Sequence, residues 1–572
     1  MQTIPEKFFG VAKKYPTKKA LMFKEDQKYK AMTFSEFMDQ VKFVATALQK
    51  LSIKKGDKVA IMSEGRPEWP IVDLASMAIG AIVVPIHTNL SSKIVNYIIS
   101  HSEVKIVFTS KIEFLDKISQ DELIFLENFV LMDNFNELKI QRNNLISWEN
   151  FLKKGDVRNF TFAKNEADDI CTIIYTSGTT GLPKGVMLSH KNILSNVEAV
   201  GEAVPVKKKD VFLSFLPLSH IFERTAGYYI PLLNGATIAY AENVKTLLKN
   251  LQEIKPTFLI CVPRIFEKLS DGIWSNVENF SPLKKKLFYW SLKQKKGNFA
   301  YVIADRLVFK KIRKKMGGNL HLAISGGAAL DERFARFFSK MGIKIFEGYG
   351  LTETSPVLAV NRESKVKFGT VGLPVSGMEI KISEDKEILA RGPSIMKGYY
   401  KNETESTKAI DADGWFYTGD YGFIDKEGFL IIVGRKKEMI VTSGGKNVWP
   451  EHIEQELNFD KLVTQSLIVG HNRKYLSALI VPDRQELVTY LKSKNCIVEN
   501  FEKFLNSEFV LEVFDKCIKK VNSNLSDFEQ IKKFCLLPNE FSQEKDELTP
   551  TLKIRRQAIG HNYKNEIEKM YL

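Results

Sequence analysis

Five cysteines in 572 residues, Cys171, Cys261, Cys496, Cys517 and Cys535, stand without CxxC spacing or neighbouring histidines. That scarcity argues against a disulfide framework or a thiolate zinc site and fits a reducing compartment. Nowhere do about 18 uninterrupted apolar residues occur, and Met1 to Lys7 has no basic stretch leading into an apolar run. The expectation is therefore neither secretion nor membrane spanning but a cytoplasmic protein. There is no fixed-period repeat and no low-complexity segment, so solenoids and disordered arrays are not expected. What remains is a globular chain, 44% hydrophobic and 26% charged, too long for one ordinary core and expected to form two or more domains. Its net charge of +15 suits nucleic acid, an anionic membrane surface or an anionic substrate. The basic residues are spread along the chain without a groove-reading or metal-finger motif, so no nucleic-acid partner is expected.

The most informative segment is Tyr175-Thr176-Ser177-Gly178-Thr179-Thr180-Gly181-Leu182-Pro183-Lys184-Gly185. Glycines let backbone amides approach an oxyanion, hydroxyls donate further hydrogen bonds, and Lys184 brings a mobile positive charge. A phosphate loop is the natural reading, against a functionless Gly/Thr turn. It is not a Walker A loop, because Lys184 sits between Pro183 and Gly185. Ile170–Ile174 reads as a strand and Val186–Val200 carries helical spacing, so the loop is expected to join a strand to a helix.

Around it, strands are expected at Lys58–Met62, Ala81–Pro85, Val104–Phe108, Leu213–Leu216, Phe258–Val262 and Leu320–Ile324, with helices at Trp69–Ile79 and Ser91–Ser100. Such alternation predicts a wound α/β core. After Asp420 the pattern turns hairpin-like around Lys426-Glu427-Gly428.

Further motifs follow in order: Leu216-Pro217-Leu218-Ser219-His220-Ile221-Phe222-Glu223-Arg224, Ser325-Gly326-Gly327-Ala328, Glu347-Gly348-Tyr349-Gly350-Leu351-Thr352-Glu353, Tyr417-Thr418-Gly419-Asp420, Gly434-Arg435-Lys436-Lys437 and Ser443-Gly444-Gly445-Lys446-Asn447. With the phosphate loop, and from Thr33-Phe34-Ser35-Glu36 to Lys553, they cover most of the chain. This set resembles the adenylate-forming superfamily and, within it, the long-chain fatty acyl-CoA synthetase branch.

The resemblance implies an α/β fold: a large N-terminal domain (1–436) of wound sheets plus a β-barrel-like part, and a smaller mobile α+β C-terminal domain (437–572). The hinge is then Lys437. It implies ATP, magnesium and CoA, with a long-chain fatty acid activated through an acyl-adenylate. Thr176, Ser177, Gly178, Thr179, Thr180 and Lys184 would cradle the β and γ phosphates. Gly326, Gly327 and Ala328 would lie against adenine, within an ATP site that also takes in Glu347, Gly348, Tyr349 and Gly350. Tyr349 would stack on the base, Thr352 would meet the α-phosphate and Glu353 would be the magnesium ligand. Asp420 would accept from the ribose hydroxyls, with Arg435 near ribose and phosphate. Lys553, in Leu548-Thr549-Pro550-Thr551-Leu552-Lys553, would reach the substrate carboxylate and α-phosphate, and His220 would sit beside the acyl carboxylate. Gly444, Gly445 and Lys446, with Trp449, would meet CoA.

Structural alternatives stand beside these roles. Tyr349 and Thr352 also read as a buried ring and a helix cap, Asp420 and Arg435 as a surface ion pair, His220 as a capping or core histidine, and Lys553 as a solvated charge. On a helix His220 and Arg224 would share one face. The aromatic gate that some long-chain relatives carry one turn after the histidine is Arg224 here and is not transferred. Phe212, Phe215, Tyr228, Tyr229, Phe258, Ile260 and Val262 are acyl-channel candidates by proximity alone, more of them suited to core than to tunnel. The 485–541 region exceeds what the shortest family members need. A second reading is an acyl-AMP ligase handing its product to a carrier protein; a luciferase-like monooxygenase and a non-catalytic binding protein are more remote. Finally, Lys284–Trp290 and Phe309–Lys315 interleave bases with large apolar side chains, which suits peripheral contact with an anionic membrane at its inner face as well as a solvated helix face.

Overall fold

The computed structural model describes residues 2–119, 125–133, 144–176, 182–494, 496, 501–549 and 554–572. Ser177, Gly178, Thr179 and Thr180 of the phosphate loop, and Lys553 with Pro550, Thr551 and Leu552, lie outside the described residues. By internal contacts the chain divides into two units, Met1–Thr418 with Phe423–Ile431, and Gly419–Gly422 with Ile432–Leu572. The division weaves through one hairpin, ahead of the expected 436/437 boundary.

The expected strands form, with ends displaced by no more than two residues: Lys58–Met62, Ile82–Pro85, Val104–Thr109, Val211–Ser214, Phe258–Cys261 and Leu322–Ser325. Among the described residues the large unit holds two long sheets. One has nine strands, in which Lys344–Gly350, Leu322–Ser325, Phe258–Cys261, Val211–Ser214, Thr237–Tyr240 and Lys19–Glu25 lie side by side and parallel. The other has eight, parallel through Ile170–Thr176, Ile82–Pro85, Lys58–Met62 and Val104–Thr109, then antiparallel toward Lys184–Ser189 and Gly398–Tyr399. The barrel-like part takes the form of a four-stranded sheet ordered Glu379–Ile382, Glu387–Arg391, Phe416–Ile424 and Leu430–Arg435.

One expectation is corrected. Lys184–Ser189 is a strand, paired antiparallel to Ile170–Thr176 with Thr176 opposite Lys184 and Ile174 opposite Val186. The helix starts only at His190 and runs to Ala203. The run Val186-Met187-Leu188 satisfies either period, and the open edge of Ile170–Thr176 decides for strand. Ser189 then caps the helix, its Oγ accepting from Asn192 N–H at 3.1 Å. The phosphate loop thus stands in sequence between two antiparallel strands, not between a strand and a helix.

Helix Glu68–Ala78 is buried from Trp69 onward on every side, the mark of a core helix rather than a surface one. Thr33 and Glu36, where the motif match begins, form a reciprocal capping box for Phe34–Lys50, with Thr33 N–H donating to Glu36 Oε2 at 2.7 Å and Glu36 N–H to Thr33 Oγ1 at 3.2 Å.

In the smaller unit, Val463–Val469, Leu476–Pro482 and Ile531–Leu536 form a three-stranded sheet. Helices Pro450–Asn458, Arg484–Ser493 and Glu508–Asn522 contribute to its core. The 485–541 region is therefore a crossover: it leaves Leu476–Pro482, passes through helices and returns as a parallel neighbour strand. No described helix is long and apolar enough to cross a membrane.

Candidate active site

Three motifs converge because three parallel strands end together. Val211–Ser214 runs into Leu216–Arg224, Leu322–Ser325 into Gly326-Gly327-Ala328, and Lys344–Gly350 into Leu351-Thr352-Glu353. The carboxyl ends of parallel strands are where open α/β sheets bind ligands. Here glycine is required by close approach. A Cβ on Gly326 would fall 2.8 Å from the Phe222 ring, and one on Gly350 would overlap the Pro356 carbonyl at 1.8 Å. Gly327 sits at φ +84°, a conformation that favours glycine. Tyr349 is half-buried against the core. The hydroxyl that receives the Leu351 N–H, at 2.9 Å, belongs to Thr354 and not to Thr352, so capping does not account for Thr352. Burial pushes the Glu347 carboxyl up to about 8, with the Leu330 and Gly369 amides pulling the other way.

Lys184 and Glu353, more than 160 residues apart in sequence, are joined through a segment that the motif reading passed over. Tyr399 pairs with Val186 in the sheet. Its ring centroid lies 5.1 Å from Lys184 Nζ, and its hydroxyl donates to Glu353 Oε1 at 3.0 Å. The Glu353 carbonyl accepts from Met396 N–H at 2.8 Å. Lys184 is ion-paired with Glu405, and that ammonium, followed by Lys408, holds the half-exposed Glu405 carboxyl down at about 2. At the base of the loop, Tyr175 Oη lies 2.6 Å from His101 Nδ1. The signal for Tyr399 and Glu405 was weak: one of two tyrosines in Gly398-Tyr399-Tyr400 and one of two acids in a short helix, Glu403–Ala409, capped by Asn402.

The histidine motif folds differently from a plain helix. His220 Nδ1 accepts from Phe222 N–H at 3.2 Å and its carbonyl accepts from Arg224 N–H at 3.0 Å, so the capping reading of this histidine has direct support. Residues Glu223–Tyr229 form a π-helical segment. Arg224 does not share an outer face with His220; it is turned wholly into the core. It pairs there with Asp73, donates from Nε to Tyr229 Oη at 2.9 Å and from Nη1 to Thr172 Oγ1 at 2.7 Å. Tyr229 in turn donates to Asp73 Oδ2 at 2.7 Å. Burial raises the Asp73 carboxyl while Arg224, whose guanidinium does not deprotonate, pulls it back. Of the channel candidates, Phe212, Tyr228, Tyr229, Phe258 and Ile260 are packed core, with Phe212 and Phe258 stacked at 4.7 Å; Phe215 and Val262 are partly buried.

Glu223 is buried beside this network. Its Oε1 accepts from Ser214 Oγ at 2.6 Å, and Oε2 has no hydrogen-bond partner among the described residues. Gly227 makes room for it, since a Cβ there would lie 2.3 Å from the carboxylate. Burial pushes this carboxyl up to about 8 from its ordinary 4.5. Between those values the folded chain holds a proton that the unfolded chain has released, so stability falls as pH rises toward 8 and is flat beyond it. The slope is on the order of 1.4 kcal/mol per pH unit. Glu223→Gln keeps the acceptor and removes the titration. It is expected to melt higher than wild type at pH near 8, the gap closing toward the ordinary carboxyl range; parallel melting curves across that range would contradict this.

In the smaller unit, Asp420 is buried and its Oδ1 lies 3.4 Å from Arg435 Nε. Lys437 sits in the 3-10 turn Lys436–Glu438. Gly444, Gly445 and Lys446 form the turn between Ile440–Val441 and Asn447–Val448, with Gly445 at φ +73°. Trp449 packs on Tyr421 at 5.0 Å. Arg556, three residues beyond Lys553, is bound by Glu454 Oε1 at 2.7 Å and by Glu438 Oε2 at 3.3 Å. It thereby ties the segment after Lys553 to the turn that holds Lys437. Among the described residues no group of three or more His, Cys, Asp or Glu could enclose a metal.

Comparison with known proteins gives the family. The model of the AMP-binding enzyme family matches residues 8–400, and that of the AMP-binding enzyme C-terminal domain matches residues 437–572. The chain is similar to long-chain-fatty-acid–CoA ligase FadD15 of Mycobacterium bovis, at 34% identity over 94% of this chain and 92% of the relative. It is also similar to human long-chain-fatty-acid–CoA ligase ACSBG2, at 31% identity over 100% and 92%. The solved anthranilate CoA ligase AuaEII in complex with anthranoyl-AMP shares the fold, with a TM-score of 0.78 at 20% identity over 99% of this chain and 98% of that one. With a family match across most of its length and relatives above 30% identity end to end, the chain belongs to the AMP-binding, adenylate-forming enzymes.

Proposed function

We propose that this protein is a long-chain-fatty-acid–CoA ligase, converting a fatty acid, ATP and CoA into acyl-CoA, AMP and pyrophosphate through an acyl-adenylate. The observation that carries the reading is the meeting of Lys184 and Glu353 across Tyr399, beside the carboxyl ends of parallel strands. Joining two anions requires positive charge at the α-phosphate and a held leaving group. The loop residues Thr176, Ser177, Gly178, Thr179, Thr180 and Lys184 would take the β and γ phosphates, Lys184 exchanging Glu405 for them. Glu353 would hold magnesium, which when bound screens the phosphate charge. Tyr399, donating to Glu353, fixes that carboxylate's orientation.

Gly326, Gly327 and Ala328 would lie flat on adenine, with Tyr349 stacked and the strand end Glu347-Gly348-Tyr349-Gly350 as its frame. Thr352 would donate to the α-phosphate, and His220 would stand beside the acyl carboxylate. Asp420 would accept from both ribose hydroxyls, with Arg435 orienting it. Lys553 would neutralise charge during adenylation. Rotation about Lys437, between domains at 1–436 and 437–572, would then bring Gly444, Gly445 and Lys446 to CoA, whose thiolate displaces AMP. The protein would work in the cytoplasm, in peripheral contact with anionic membrane where its substrate partitions.

The test is ATP–pyrophosphate exchange without CoA. Label is expected to enter ATP only when a long-chain acid and magnesium are both present; release of ADP and phosphate would contradict the adenylate.

A further inference from the structure

The charge of this chain is not spread as evenly as its composition suggests. Between Pro282 and Lys315 the sequence holds twelve Lys and Arg and one acid, Asp305, a net +11 out of +15 for the whole chain. The structure folds this stretch into helix Pro282–Lys293 followed by Phe299–Ala304, Asp305–Phe309 and Lys310–Lys315, the last three running on as one helix through a π turn. The sole acid is spent internally, since Asp305 Oδ1 receives Arg313 Nη1 at 2.6 Å.

The pair of helices is anchored through some side chains and leaves other large apolar ones bare. Phe288 and Phe309 are buried, and Tyr301 Oη donates to the Lys340 carbonyl at 2.8 Å. Outward, Leu283 is 81% exposed, Phe299 80%, Val302 60% and Leu307 43%. Of the twenty-three large hydrophobic side chains that are exposed among the described residues, eight fall between Phe280 and Leu307. A solvated helix face explains the lysines but not large apolar side chains standing almost wholly in water among them.

We propose that this helical pair is a docking surface for an anionic lipid bilayer, with Leu283, Phe299, Val302 and Leu307 entering the interface and the flanking lysines meeting lipid phosphates. The inference deepens the peripheral-membrane part of the function proposed above and rests on it. Charge complementarity selects this occupant. A second copy would present the same excess of positive charge and be repelled. A bilayer supplies dense negative charge and an apolar layer at once, and long lysine stems can lie along the apolar side chains while their ammonium groups reach the headgroups.

The experiment is flotation of the full chain with phosphatidylcholine vesicles, with and without phosphatidylglycerol, for wild type and for Leu283→Glu/Phe299→Glu. Wild type is expected to float with the anionic vesicles and to be released by high salt. The double variant is expected to float about tenfold less, with unchanged melting temperature and unchanged rate on acid supplied from albumin. Equal flotation of both proteins overturns the assignment to this helical pair and leaves membrane contact standing. Wild type that ignores all vesicles overturns both. A wild-type dimer that the variant dissolves assigns the face to self-association instead, and overturns the proposal.

Discussion

Asp73→Ala is expected to cost about 3–5 kcal/mol, because it strands a guanidinium in the core rather than merely deleting a contact. Arg224 and Asp73 are both fully buried; Arg224 Nη2 donates to Asp73 Oδ1, and the other polar atoms of the pair find partners in Tyr229 or Thr172. Two charges so placed gain little over an apolar pair of equal volume, but either one alone is a heavy liability. The urea midpoint of Asp73→Ala should therefore fall sharply, and Asp73→Ala/Arg224→Met should recover a large share of the loss. The network also fixes the segment that begins at His220, so the single variant is expected to lose adenylation rate before it loses its fold. A single variant as stable as wild type, or a double variant no better than the single, would show that the pair is not held as described.

The second large effect is chemical. Lys553→Ala is expected to slow adenylation by about 10²–10³-fold, the size of effect seen when one preorganised charge is removed from a developing anion. Thioester formation from supplied acyl-adenylate is expected to stay largely intact, since the function proposed above uses this lysine in adenylation alone. Arg556, bound by Glu438 and Glu454, supports the chain just after it. Single-turnover measurement of each half-reaction separates the two; equal loss in both would sink the assignment of Lys553 to adenylation alone.

Much of this was legible without coordinates, and the failures have physical reasons. Strands at Lys58–Met62 and Phe258–Cys261 are short β-branched or aromatic runs with breakers on both sides, so local sequence suffices. Val186-Met187-Leu188 is not: three apolar residues fit both periods, and only the edge of Ile170–Thr176 makes them a strand. Arg224 read as a neighbour of His220 because a helix was assumed; the π-helical segment and a partner 151 residues away turn it inward. Tyr399 and Glu405 carry no motif of their own and acquire meaning only where the sheet sets Tyr399 beside Val186. The lysines of 282–315 could be counted, but the bareness of Leu283 and Phe299 between them could not.

The most direct test of the account is a mass-spectrometric inventory of products from ATP, magnesium and an acid panel running from acetate to oleate, with and without CoA. The account predicts long-chain acyl-CoA and AMP, formed only when CoA is present and falling away toward the short acids. Acyl-adenylate that accumulates and ignores CoA would contradict it, and would make the acceptor a carrier protein instead.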